Sequence, residues 1–327
     1  MQFRRYLTIL MTVALIGSLT SHADETKTYD LRGFTGVSAS AAVDVELTQG
    51  EAFSVLAYTK SGDFSGLELR VKGGELIATR PEEIWKNKRM SIQRVNSQRI
   101  IKINGERVPT YTVRVTAPRI DLLGASSSSI VTAKEIKNSD LSIKATSSGD
   151  INAEVAGGDV SVDASSSADV VLSGTYDNLD IDASSSADVV LSGTCDRLDI
   201  NATSSADVKA DNLTSQQLDL LSSSSGNIRA KVAGGDVSVD ATSSGDVVLS
   251  GNCDNLDINA SSSADVKAGS LTCQKGNLRA SSGADIIAML TETVTAHARS
   301  GGDILVRGGA KPVKVTESSG GDVSIRN

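Results

Sequence analysis

The chain has 327 residues, 32 Lys/Arg against 40 Asp/Glu for a net charge of −8, and 39% hydrophobic but only 3% aromatic residues. An acidic balance without clustered cations along most of its length argues against nucleic acid as a partner, because phosphate binding depends on grouped Lys and Arg. So few rings exclude a thick globular core and favour a narrow section filled by small and β-branched side chains.

The chain opens on Met1-Gln2-Phe3-Arg4-Arg5, an apolar run from Tyr6 to Leu19, and the small-residue site Ser21-His22-Ala23. A charged start, a short apolar stretch and an A-x-A-like site predict a secretory signal peptide over residues 1–23. The apolar run falls short of the roughly 20 residues that span a bilayer. No Cys stands near the site to accept a lipid, and no later segment is long and apolar enough to cross a membrane. Removal of the signal leaves 30 basic and 40 acidic residues, divided unevenly: 15 against 12 over 24–120, and 15 against 28 over 121–327.

Residues 24–120 read as an N-terminal β cap. Val37 to Leu47, VSASAAVDVEL, aligns without gaps on Ile181 to Leu191, IDASSSADVVL, so a first coil begins there with Asp44 at its turn. Strand-like runs follow at Phe53–Tyr58, Leu67–Thr79 and Tyr111–Thr116. The insertion 80–107 carries eight basic residues, including Arg80, Lys86, Lys88, Arg89 and Arg94, beside Ile84 and Trp85. Trp85, Lys86, Lys88, Arg89 and Arg94 are the candidate binding residues, for an anionic envelope glycan or an acidic protein ligand. The competing reading is a solvated loop that packs Trp85 on the cap.

From 121 to 327 an internal repeat dominates. A Ser-rich turn ends in an acid or amide at Asp150, Asp169, Asp188, Asp207, Asn227, Asp246, Asp265, Asp285, Asp303 and Asp322, spaced by 18 to 20 residues. In LDIDASSSADVVLSG, Leu179 to Gly193, apolar and polar residues alternate with the period of a strand buried on one face. Each repeat then holds two short strands and two bends, and buries nothing until neighbours stack in parallel about 4.8 Å apart. About ten coils make a rod roughly 50 Å long on that spacing. Gly or Ala before the polar residue, as at Gly149 and Ala187, is expected to meet a tight bend and, for Gly, to supply positive φ. The fold class is therefore all-β: a parallel β-helix of ~19-residue coils with an N-terminal β cap.

The stacked carboxylates have two readings. They accept hydrogen bonds from turn N–H groups, or they bridge cations, with Asp169, Asp188 and Asp207 as the metal candidates. An outward row in which Val171 and Val190, later Ile287 and Leu305, replace Asn152, Lys209 and Lys267 marks a flank for association or for a covering loop. Cys253 and Cys273 lie one coil apart at nearly equal offsets and are expected to bond in an oxidising compartment, leaving Cys195 as the odd thiol. His297 reads as an ordinary strand position. No catalytic motif or cofactor fingerprint stands out, nothing sets the oligomeric state, and the Gly-Gly pairs lack the helix that phosphate binding needs. A β-helical polysaccharide lyase or hydrolase using two column carboxylates is the rival to a binding module, yet acids repeated in every coil single out no site.

Gly33-Phe34-x-x-Val37, Asp44-Val45-Glu46-Leu47-x-Gln49-Gly50, Leu76-x-Ala78, Val113-x-Val115-x-Ala117-Pro118 and the closing Ser300 to Ile325 together resemble the auto-transporter adhesin head family, the head GIN domain. The resemblance implies a right-handed parallel β-helix in exported bacterial proteins, periplasmic, cell-surface or extracellular, with an adhesin-like role and no catalytic residues to transfer. The membrane barrel of an autotransporter has no counterpart in the sequence.

Overall fold

The computed structural model describes residues 25–96, 98–137 and 140–326. The expected signal, residues 1–23, lies outside the described residues. The rod begins with β1 (Glu25–Tyr29), β2 (Gly36–Ala39), β3 (Val43–Gln49), β4 (Ser54–Thr59), β5 (Glu68–Lys72) and β6 (Glu75–Thr79). A short helix α1 (Glu82–Trp85) and β7 (Met90–Val95), β8 (Gln98–Ile103), β9 (Glu106–Val108) and β10 (Tyr111–Ala117) follow. Beyond them every coil stacks in parallel on the last, as when Asp169–Ala183 pairs with Asp188–Ala202 from Asp169↔Asp188 to Ala183↔Ala202.

Register explains the core. Val170, Val189 and Val208 stand in one column and Leu179, Leu198 and Leu218 in another, all at most 1% exposed. Each such side chain contributes about 1.5–3 kcal/mol on burial, and small residues such as Ala183 and Ala202 keep the section narrow. In several coils the second bend of the repeat does not break the strand, although it does at Gly157-Gly158 and Gly234-Gly235. Asp188–Ala202 runs 15 residues without interruption, because its ladder continues through Gly193, where φ is 117°. A Cβ there would run into the Gly174 carbonyl of the coil below.

The Ser-rich turn differs from expectation. Two successive residues, such as Ser185 (φ 53°) and Ser186 (φ 63°), take the left-handed conformation, rather than the Gly or Ala that follows. Ala187 N–H closes the turn on the Ser184 carbonyl at 3.1 Å, the arrangement of a type I′ turn. The Ser186 N–H donates to the Ser204 carbonyl of the next coil at 3.1 Å, so the bends form their own ladder. These bonds help hold serines in a conformation that disfavours L residues by about 1–2 kcal/mol each. The residue after the serines is small for steric reasons alone. It is buried at Ala168 and Ala187, and at Gly149 a Cβ would strike the Ala125 backbone.

The two ends of the rod are treated differently. At the first coil, β10 adds to β3 in parallel, β4 pairs antiparallel with β10, and β1 with β4; on the adjoining side β6 joins β2 and β5 turns back on β6. The unpaired edge of the solenoid is thereby covered. At the last coil, Lys311–Ser318 pairs with the preceding strand and is exposed throughout. Pro312 offers no N–H, and Glu317 takes the register position below which Ala298 is buried, its carboxylate accepting the Val323 N–H at 2.9 Å. Proline and an inward-placed charge are devices that blunt a strand edge against further pairing.

Cys253 and Cys273 face each other in register and are joined as a disulfide with Cα atoms 4.5 Å apart, while Cys195 is a buried free thiol.

Candidate functional site: the basic head

The insertion 80–107 is an ordered module. After α1, strands β7, β8 and β9 form a separate antiparallel sheet in which Met90 faces Ile103 and Ile92 faces Ile101. Ile101 and Ile103 are buried, so the sheet has an apolar face of its own. Arg80, at its root, is 1% exposed: Nε donates to the Ala41 carbonyl, Nη2 to the Pro109 carbonyl, and the guanidinium lies 4.8 Å from the Tyr111 ring centroid. It is a structural pin joining the first turn to the end of the insertion.

Arg99 is the second pin. It donates to the Asp44 carboxylate and, at 2.6 Å, to the Ser128 carbonyl, reaching across the first two turns. Asp44 also accepts the Ile130 N–H at 3.3 Å. Burial holds the Asp44 carboxyl above its ordinary pKa even so, with Arg99 and more weakly Arg94 opposing the rise.

The sequence candidates do not gather at one point. Trp85 is half-buried and donates its Nε1–H to the Arg80 carbonyl at 3.1 Å. Lys86 pairs with Glu82, and Lys88 reaches the Glu83 carbonyl at 2.5 Å. Arg89 is exposed, its N–H bonded to Asn104 Oδ1 at 3.0 Å. Arg94, also exposed, stands directly opposite Arg99 in the sheet, and its charge acts on Asp44 and Asp150.

A cleft of about 660 Å³ opens between this module and the cap. Its lining combines Lys60, Arg99 and Arg107 with Asp44, Thr59, Ser61, Thr110, Thr112, Val108 and Pro109, the Thr59 hydroxyl being buried and bonded to that of Ser61 at 3.1 Å. Arg99 and Asp44 neutralise each other. Lys60 and Arg107 are exposed, and neither makes an ion pair among the described residues. The sequence hid this site because its residues come from four separated segments that carry no common motif.

Along the rod, Asp169, Asp188 and Asp207 stack one per coil, with Asn227 Nδ2 donating to Asp207 Oδ1 at 2.7 Å. Among the described residues no group of three His, Cys, Asp or Glu side chains is placed to hold a metal. The turn N–H groups bond to backbone of the next coil, and amides do part of the work of separating the acids: Asn201 donates to Asp182, Asn255 to Asp236 and Asn259 to Asp240. Burial and the neighbouring Asp199 and Asp182 raise the Asp180 carboxyl. His297 sits on a strand between Arg279 and Thr316 in register. Val171 and Val190 are adjacent and exposed, 42% and 36%; Ile287 and Leu305 are half-buried. Among the described residues no helix is long and apolar enough to cross a membrane.

Fold and head together define a class, a parallel β-solenoid with an antiparallel N-terminal cap and an inserted basic sheet. The family model described as "Putative auto-transporter adhesin, head GIN domain" matches residues 33–189, 176–233 and 200–310, and the chain belongs to that family. Solved structures that resemble it include two from Parabacteroides distasonis. One is described as a putative lipid binding protein (16% identity, 92% of this chain and 96% of that one, TM-score 0.34). The other is described as a putative adhesin (14%, 93% and 97%, TM-score 0.38). A putative adhesin from Parabacteroides merdae is similar at 13% identity, 92% and 95% coverage and TM-score 0.37. No curated protein matches the chain.

Proposed function

We propose that this protein is an exported, adhesin-like binding module of the cell envelope that works without catalysis, its solenoid a spacer and its head the recognising part. Membership of an adhesin head family supports the general role. The observation that carries the assignment to the head is the break in the repeat. The chain departs from its coil pattern to build a basic sheet, and Arg80 and Arg99 fasten that sheet to the first turns. The rod repeats the same backbone coil with an overall excess of acids, which suits spacing better than recognition.

The test is adhesion of the purified mature chain to envelope fractions and immobilised glycans, with release of soluble sugar followed in parallel. Retained adhesion by the intact chain and its loss when residues 90–108 are replaced by a short Gly-Ser linker is the expected result. Depolymerised glycan in the supernatant would overturn the non-catalytic reading, and adhesion that survives the replacement would move recognition to the rod.

A further inference from the structure

We infer that the cleft between the inserted sheet and the cap is a binding site for an oxyanion-bearing saccharide, held by Lys60 and Arg107 through its anionic group. The inference rests on the binding role proposed above and adds to it a place and a ligand class.

Four observations converge. The cleft, at about 660 Å³, lies within the size range of small-ligand sites. Of its three cations, Arg99 is committed to Asp44 and the Ser128 carbonyl, which fixes that wall in place. Lys60 and Arg107 remain, and Arg107 supplies the planar fork that matches carboxylate, sulfate or phosphate geometry. Around them stand Ser61, Thr110 and Thr112, side chains able both to donate to and to accept from sugar hydroxyls, while Thr59 is buried beneath them with its hydroxyl bonded to that of Ser61. Val108 and Pro109 add an apolar edge for the C–H face of a ring.

Charge distribution limits the ligand's extent. The cleft is cationic, but from residue 121 onward the chain has 15 basic against 28 acidic residues. A long polyanion lying down the rod from the head would meet repulsion over residues 121–264, where 7 basic stand against 22 acidic residues, whereas a short acidic terminus or side branch entering the head would not. Lys86, Lys88 and Arg89 lie outside the cleft lining, and two of them are already bonded within or beside α1.

The decisive experiment titrates the full mature chain with three probes: a heparin-derived hexasaccharide, hexagalacturonate and neutral maltohexaose. The native protein is expected to bind at least one anionic probe and not the neutral one, more weakly as salt is added; sulfate and carboxylate are told apart by which probe binds. K60A/R107A should lose about tenfold or more. K86A/K88A/R89A removes more charge but should change affinity less than about threefold. Both variants alter exposed side chains, and circular dichroism checks that each is folded. Equal losses in the two variants would reduce the effect to diffuse charge and overturn the inference, as would equal binding of maltohexaose or binding of neither anionic probe. If the chain adheres to envelope fractions and K60A/R107A adheres equally well, the cleft fails while the adhesin-like role stands. If the chain adheres to nothing, that role fails as well.

Discussion

Ser215→Cys should create a second covalent staple between coils. Cys253 and Cys273 are register partners separated by 20 residues, and Cys195 and Ser215 are register partners at the same separation, each pair following a one-residue bulge, at Val190/Ser192 and Val248/Ser250. The bonded pair has Cα atoms 4.5 Å apart, and neighbouring strands at about 4.8 Å bring the second pair within disulfide reach. Closing a 20-residue loop removes about 3 kcal/mol of unfolded-chain entropy at most. Ser215 is fully buried and its hydroxyl has no partner, so replacing it also removes an unsatisfied oxygen worth about 1 kcal/mol. Burial, and to a lesser degree Asp196, pushes the Cys195 thiol up to about 12, so little thiolate exists at neutral pH and the bond needs an oxidation catalyst or an oxidising compartment. The readouts are intact mass after alkylation in denaturant and the urea midpoint with and without reductant. Since coils interact mainly with neighbours, the gain should concentrate around residues 195–215 in hydrogen exchange. Alkylation of both thiols in the oxidised sample, or an oxidised midpoint no higher than the reduced one, would refute the register argument.

Other consequences follow from the same packing. Asp188→Asn should stabilise the rod by roughly 0.5 kcal/mol, because it relieves like charges toward Asp169 and Asp207 and can repeat the Asn227–Asp207 bond; an unchanged or lower urea midpoint would count against it. Gly193→Ala should cost more than about 2 kcal/mol, since the new methyl meets the Gly174 carbonyl and φ there is 117°, and a melting temperature within a degree or two of the native value would contradict the stacking described. Burial first and neighbouring acids second hold Asp150, Asp180 and Asp285 above the ordinary aspartate value of 3.8. The folded state therefore binds protons more readily than the unfolded chain above that value, so these groups should add stability as pH falls from neutral toward 3.8. Urea midpoints at pH 7 and pH 5 at constant ionic strength check this, and Asp285→Asn should shrink the difference. Glu317→Val should unblock the terminal edge and produce concentration-dependent association in sedimentation; a strictly monomeric variant would show that Pro312 and the exposed lysines suffice.

The architecture follows from local patterns along the chain. The regular recurrence from Asp150 to Asp322 specified parallel stacking, and alternation such as Leu179, Ile181 and Ala183 specified the inward face, because side-chain period and coil length are local properties. The facing of Cys253 and Cys273 followed from counting, since in a parallel ladder equal offsets become neighbours. The conformation of the Ser turn was not legible, because the left-handed serines are supported by hydrogen bonds to the next coil and not by anything within their own repeat. The insertion was legible as basic and aromatic, yet composition could not divide its cations. Tertiary structure buried Arg80, tied Arg99 to Asp44, anchored Trp85 and left Lys60 and Arg107 beside a cleft. Repetition makes neighbours predictable from sequence distance, whereas a site assembled where the repeat stops brings distant residues together, and only the folded chain decides which they are.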